Sequence, residues 1–348
     1  MQNSIPRQDN DIKNMSWEAL VALCRHIGLD PYRARQLYQW VFQKHINDLE
    51  QMTSLPKQTR QELARYIVIS DLEREHIAVS RDGSKKFVFR TADGYKIETV
   101  VIPERRHTTL CISTQIGCPL QCRFCFTGRT GLVRNLRVAE IVNQVHNVIM
   151  AEGLSTVRLN LVFMGMGEPL ANYDNTLTAI RILMNPWGMN FSHRKITVST
   201  AGIIPKMIRL GNELQVNLAI SINAPTDELR SFLMPINKRY PLYALLEAAQ
   251  RYPLSPRKRI TFEYIIIKDV NDSPHHANIL ARILRRIPCK INLIPFNEHP
   301  AVDFRRPDEK TVAAFQKILH IHHFTAPIRY SKGADIAAAC GQLGGGMV

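Results

Sequence analysis

Apolar positions recur every three to four residues through the first part of the chain, as Leu20, Leu23, Cys24 and Ile27 and then as Ala34, Leu37, Tyr38 and Val41. That period puts each set on one face of a helix. Ser16 offers an N-cap oxygen to the first helix, and Gly28 stops it. Asp30 caps the second, with Pro31 in its first turn, where the missing N–H costs nothing. A third helix is predicted from Thr59 to Ile67. From about Glu75 the spacing shortens to short β segments, punctuated by the hairpin pairs Asp82-Gly83 and Asp93-Gly94. From Leu110 onward, the strand-like runs LNLVFMG, KITVST, VNLAIS, ITFEYIII, KINLIPF and PIRYS alternate with helical stretches. Parallel strands joined by helices follow from that alternation, as an open sheet or as a full or partial barrel. A barrel carries its chemistry at the C-terminal strand ends. The expected organisation is a disordered N-terminus at 1–15, a helical accessory domain at 16–74, a β-rich bridge at 75–109, an α/β core at 110–331 and a C-terminal loop at 332–348.

With 348 residues, 45% of them hydrophobic, the chain can build one large core and an accessory module. Its formal net charge of +15 favours a polyanionic partner, because Lys and Arg neutralise phosphates and release counterions. The basic residues are scattered as Arg105 and Arg106, Arg134 and Arg137, Lys238 and Arg239, Arg257 to Arg259, and Arg282 with Arg285 and Arg286. Taken singly they read as solvated faces; collected on one side they would contact phosphates. The opening MQNSIPRQDNDIK has no apolar signal core, and no apolar run approaches a membrane span, so a cytoplasmic protein is expected. Seven cysteines, three of them within eight residues, point to reduced, ligating or catalytic thiols rather than disulfides.

Those three are Cys118, Cys122 and Cys125 in GCPLQCRFCFTG. Three thiolates at this spacing can hold three irons of a four-iron four-sulfur (4Fe-4S) cluster and leave the fourth iron open to a substrate. A structural zinc site is the alternative, with Cys111 or His107 as the fourth ligand. GMGEP at Gly165 to Pro169 reads alone as a turn. Ser199 and Ser221 are polar residues ending two strands on one rim. Cys340, in AAACGQLGGG, reads by itself as an exposed tail thiol. Cys24 and Cys289 are assigned to packing. His320, His322 and His323 are not read as a metal site, since two are adjacent and no carboxylate accompanies them.

Together the cysteine array and GMGEP resemble the radical S-adenosylmethionine superfamily. Within it the chain is similar to the adenine-C2 methyltransferases of 23S ribosomal RNA and transfer RNA, through ETVVIPE, TLCISTQIGCPLQC, GLVRNLRVAEIV, ITVSTAGIIP, LAISINAP, MPINK, TFEYIII, LIPFN and DIAAACGQL. The resemblance implies a partial (β/α) barrel with an N-terminal helical RNA-binding domain and a short β-rich bridge. It implies a 4Fe-4S cluster on Cys118, Cys122 and Cys125, and S-adenosylmethionine, two per turnover, met by Gly167, Glu168, Ser199, Ser221, Ile222, Asn223 and Asn297. Asn223 departs from the family's usual His but keeps hydrogen-bonding capacity.

The resemblance further implies that Cys340 is methylated and becomes the methylene donor, that Cys111 resolves the covalent RNA adduct by a disulfide, and that Glu98 accepts the C2 proton. An electron donor such as flavodoxin or ferredoxin is implied, and a monomer is expected. The N-terminal residues Arg33, Tyr38 and Trp40 are candidates for gripping folded RNA by shape. The related adenine-C8 methyltransferase of 23S ribosomal RNA, which confers antibiotic resistance, shares the cluster and both working cysteines and stays open as an alternative. So do a radical enzyme acting on a small molecule or peptide and a non-catalytic RNA-binding protein with a structural metal.

Overall fold

A computed structural model describes residues 10–344. Of the segment expected to be disordered, 1–9 lie outside the described residues, and 10–15 prove ordered. Asp11 bridges to Val68, Ile12–Asn14 forms one 3-10 turn, and Ile12 and Lys13 are fully buried. Asp11 accepts from the Lys13 N–H and from the Ser70 hydroxyl, and Ile12 and Met15 join the main core, so a stretch that lacks hydrophobic period is folded by contacts with distant segments.

Three helices follow, α1 (Trp17–His26), α2 (Tyr32–Tyr38) and α3 (Lys57–Tyr66). Ser16 Oγ accepts the Ala19 N–H and Asp30 accepts the Tyr32 N–H, which starts both predicted helices where their caps stand. Leu20, Cys24, Ala34, Leu37 and Val41 are fully buried and join a core shared with the rest of the molecule. Tyr38 belongs to that core too. Its hydroxyl donates to the Met15 carbonyl at 2.6 Å, so it is a packing residue and not an RNA contact.

The meander β1 (Glu73–Val79), β2 (Lys85–Arg90) and β3 (Lys96–Pro103) turns at the two Asp-Gly pairs and leads to β4 (Thr108–Cys111). A small hairpin, β5 (Gln115–Gly117) with β6 (Leu132–Asn135), encloses α4 (Phe126–Arg129). Beyond α5 (Val138–Glu152) the chain alternates through β7 (Leu159–Phe163), α6 (Tyr173–Met184), β8 (Ile196–Thr200), α7 (Ile204–Glu213), β9 (Asn217–Ser221), α8 (Asp227–Leu233), α9 (Leu242–Gln250), β10 (Ile260–Ile266), α10 (Pro274–Leu284), β11 (Cys289–Pro295) and α11 (Glu309–Ile321). One nine-stranded sheet runs β1-β2-β3-β4-β7-β8-β9-β10-β11 and does not close, which makes it a partial barrel. From β4 to β11 every pairing is parallel.

Two features differ from the sequence reading. The β-rich bridge is continuous with the core sheet, because β3 pairs antiparallel with β4. PIRYS forms a single bridge, Ile328 to Leu293, since Pro327 has no N–H to extend a ladder. Among the described residues no helix is long and apolar enough to cross a membrane.

The helical module meets the core through buried polar groups as well as apolar ones. Lys13 Nζ donates to Asn143 Oδ1 of α5 at 2.6 Å, and the rings of His45 and His146 lie 4.7 Å apart beside it. Burial, reinforced by the charge of Lys13, lowers His146 from 6.5 to about 4. Burial and the same lysine lower His45. Unfolded His146 takes its proton near 6.5 and folded His146 only near 4, so the unfolded state binds more protons between those values. Stability is therefore present above that window and is lost as pH falls through it, by on the order of 3 kcal/mol from this ring. The melting temperature is expected to drop between pH 6.5 and 4, and His146→Gln to flatten part of that drop. An identical pH profile in wild type and His146→Gln would contradict this account.

Candidate active site

The loops leaving the C-terminal ends of the parallel strands surround a cavity of about 150 Å3. Cys118, Cys122, Cys125, Gly167, Glu168, Ser199, Ser221, Asn223 and Cys340 all line it. The cysteine loop hangs from the β5–β6 hairpin at Gly117, whose φ is 76° and whose added Cβ would lie 1.8 Å from the Gly131 carbonyl oxygen. Burial pushes the Cys118 thiol up to about 12, and burial followed by repulsion from Cys125 and Cys118 pushes Cys122 well above the usual thiol range. Thiols so placed stay protonated until a cationic centre replaces the protons. Among the described residues no three His, Cys, Asp or Glu side chains converge on a single ion, and neither Cys111 nor His107 lines this cavity. A structural zinc needs that convergence. A cluster does not, because it binds each thiolate through a different iron, so the donor set fits the cluster.

The GMGEP turn closes the next side. Gly167 has φ 96°, and a Cβ there would stand 2.5 Å from Gln115 Cβ, so the chain can pass only without a side chain. Glu168 Oε1 accepts the Leu170 N–H at 3.0 Å and Oε2 the Ala201 N–H at 2.8 Å, while its own N–H donates to Gln115 Oε1 at 2.8 Å. Burial raises its carboxyl to about 6 against those hydrogen bonds. Ser199 Oγ donates to Glu263 Oε2 at 3.0 Å. Asn223 holds a left-handed φ of 53°, which suits Asn, and its Oδ1 accepts the Ile265 N–H. Its side chain thus serves the β9–β10 junction. Ile222 is buried and contributes its backbone, its N–H bonding the Glu263 carbonyl.

Cys340 also lines a second cavity of about 170 Å3, together with Cys111, Met164, Ile294, Arg329, Tyr330 and Lys332. The residue is exposed, yet crowding around its thiol, followed by the charge of Glu263, pushes it up to about 11. Cys111 is buried, and burial followed by the Cys340 charge raises its thiol.

Residues 112–279 match the model of the radical SAM superfamily, and residues 10–69 that of the ribosomal RNA large subunit methyltransferase N-terminal domain. A curated relative in Syntrophus aciditrophicus, the dual-specificity RNA methyltransferase RlmN, is 49% identical over 96% of this chain and 96% of its own. Its counterpart in Geobacter sulfurreducens is 50% identical over 96% of this chain and 92% of its own. The crystal structure of a radical SAM methyltransferase from Sphaerobacter thermophilus superposes with a TM-score of 0.90 at 43% identity, covering 96% of this chain and 98% of that one. The chain belongs to the dual-specificity RNA methyltransferase family.

Asn297 and Glu98, which the family resemblance assigns to the site, stand apart from the first cavity, as Cys111 and Ile222 also do. Asn297 Nδ2 donates to Ser331 Oγ and to the Cys340 carbonyl, so it fastens the segment that carries the thiol. Glu98 is buried under the C-terminal loop, ion-paired with Lys86 at 3.2 Å and accepting the Gly344 N–H at 2.6 Å. Arg134 and Arg137 are engaged by Asp93 and Glu140 and are not free for phosphates. Sequence reasoning missed Glu263, a buried carboxylate that accepts from Ser199 Oγ and whose charge reaches Cys111 and Cys340. Its signal was one charged residue in the apolar run ITFEYIII. It also missed Gln115 and the fully buried Arg230.

Two outcomes follow from this geometry. Cys118→Ala is expected to abolish the broad visible absorbance of the anaerobically purified protein, with retained absorbance and iron content refuting the cluster assignment. Gly167→Ala is expected to cost about 2 kcal/mol in denaturant unfolding, the order of one strained backbone position. A variant as stable as wild type would show that the turn tolerates a side chain.

Proposed function

We propose that this protein methylates C2 of adenosine in 23S ribosomal RNA and in transfer RNA through a methylated Cys340. The observation that supports this reading is the position of Cys340, which lines both the cavity holding the cluster cysteines and the one holding Cys111. A thiol so placed can receive a methyl group on one side and deliver a carbon to a base on the other.

Adenine C2 lies between two ring nitrogens and is electron-poor, so it is a bad nucleophile toward a methyl sulfonium. A carbon radical adds to such a ring more readily. S-Adenosylmethionine serves twice, once as the substrate whose methyl passes to the Cys340 sulfur. In its second role, chelated to a cluster on Cys118, Cys122 and Cys125, it would supply a 5′-deoxyadenosyl radical that removes hydrogen from the S-methyl group. The methylene on Cys340 then bonds to C2 and makes a covalent protein–RNA adduct. The C2 proton passes to Glu98, and the electron left on the ring would be taken up by the cluster that Cys118, Cys122 and Cys125 would hold. Cys111 attacks the Cys340 sulfur and forms a disulfide, the S–C bond breaks with its electron pair going to carbon, and that carbon takes a proton from solvent to release 2-methyladenosine.

Glu98 becomes available only when Gly344 releases its carboxylate. Gly344 rides on the same segment as Cys340, so one loop movement serves both. The adenosine leaves its stack to enter the second cavity, whose rim carries Arg329, Tyr330 and Lys332. The net charge of +15 favours RNA. A flavodoxin or ferredoxin as electron donor, a monomeric state and a cytoplasmic location complete the proposal.

Anaerobic turnover with methyl-deuterated S-adenosylmethionine and unmodified RNA, followed by nucleoside mass spectrometry, tests it. The expected product is 2-methyladenosine retaining two deuteriums, absent with Cys340→Ala. Cys111→Ala is expected to accumulate the covalent protein–RNA adduct. 8-Methyladenosine would instead establish the C8 activity, and no RNA product from protein with an intact, reducible cluster would overturn the substrate assignment.

A further inference from the structure

Arg230, on α8, is fully buried, and among the described residues its guanidinium has no carboxylate partner. Nη1 donates to Asn237 Oδ1 at 2.7 Å and Nη2 to the Ala201 carbonyl at 2.6 Å, with longer approaches to the carbonyls of Tyr240 and Ser221. Nε has no partner among the described residues. Asp227 adds to the field at Arg230, but its Oδ1 is taken by Asn237 Nδ2 and the Leu242 N–H. A buried cation matched only by neutral acceptors loses more hydration than those bonds return, unless an anion completes the site.

The surroundings say which anion. Cys122 and Cys125 pack against the apolar cluster of Ala201, Leu233 and Met234 that surrounds the end of α8. The loop between Cys122 and Cys125 rests on the last turn of α8, the Arg123 N–H donating to the Leu233 carbonyl. Ala201, which Arg230 grips, lines the cluster cavity and donates its N–H to Glu168.

We propose that Arg230 is the built-in counter-charge of the iron–sulfur site, a positioning residue whose field makes the cluster easier to reduce. This rests on the cluster reading given above. Three thiolates leave a bound cubane cluster with net negative charge, and accepting one electron adds another. A fixed cation behind Cys122 stabilises the reduced state more than the oxidised one and so raises the potential. Hydrogen bonds alone, with no charge, would not have that effect to the same degree.

The test is a spectroscopic redox titration of anaerobically reconstituted protein, without RNA, for wild type, Arg230→Gln, Arg230→Lys and Asn237→Asp. Iron content and visible absorbance report cluster loading separately, so an absent cluster is distinguished from an ineffective arginine. Arg230→Gln is expected to make reduction at least tenfold less favourable, a negative shift of 59 mV for one electron. Asn237→Asp, which cancels the charge with the guanidinium in place, moves the same way, and Arg230→Lys stays within threefold of wild type. Loading lost in Arg230→Gln but kept in Arg230→Lys supports the same charge requirement. A loaded Arg230→Gln or Asn237→Asp protein within threefold of wild type would overturn the proposal, as would Arg230→Lys falling as far as Arg230→Gln.

Discussion

The site depends on one carboxylate held by backbone amides. Glu168 takes the N–H groups of Leu170 and Ala201, and its own N–H rests on Gln115. Those contacts tie the start of β5, the turn after β7 and the end of β8 into one rim. Without them three independent loop ends would each sample their own conformations, and no fixed cavity would face the cysteines. Gly167 makes the arrangement possible, because only a residue without Cβ can pass so close to Gln115. A hydrogen-bonded carboxylate in a buried setting is an expensive element, and it persists because every oxygen and the adjoining amide are satisfied.

A second constraint acts on the C-terminal segment, whose Ala338 and Leu343 pack with Val100, Cys111 and Met166 in a small apolar cluster apart from the main core. Single polar contacts spread along the segment hold it as well. Asp82 and Ser80 of the first hairpin bind Gly333 and Asp335, Asn297 binds the Cys340 carbonyl, Thr127 the Leu343 carbonyl and Glu98 the Gly344 N–H. Polar bonds of this kind are individually worth about 1 kcal/mol net and exchange readily with water. Segments anchored this way can move as a unit at modest cost.

Charge is distributed against the bulk composition. The chain carries a net charge of +15, yet the cluster cavity is lined by thiols and the carboxylates of Glu168 and Glu263, with Arg230 behind them. Surface cations suit a polyanionic substrate at long range. The buried groups act over a few ångströms in a poorly screened interior, where each sets the protonation of its neighbours.

The sequence by itself determined the helical caps at Ser16 and Asp30, the Asp-Gly hairpins and the parallel strand alternation. Each of these is local, fixed by residues within a few positions of one another, so spacing alone carries it. Only the tertiary structure decided that the bridge strands extend the core sheet, that residues 10–15 are folded by contacts with distant segments, that Tyr38 is core, and that Cys340 stands between two cavities. The same holds for the engaged states of Glu98 and Asn297 and for Glu263 and Arg230, whose partners lie far away in the chain. These depend on contacts between segments up to 246 positions apart. No periodicity along the chain encodes such a meeting; it follows from the order in which the strands pair.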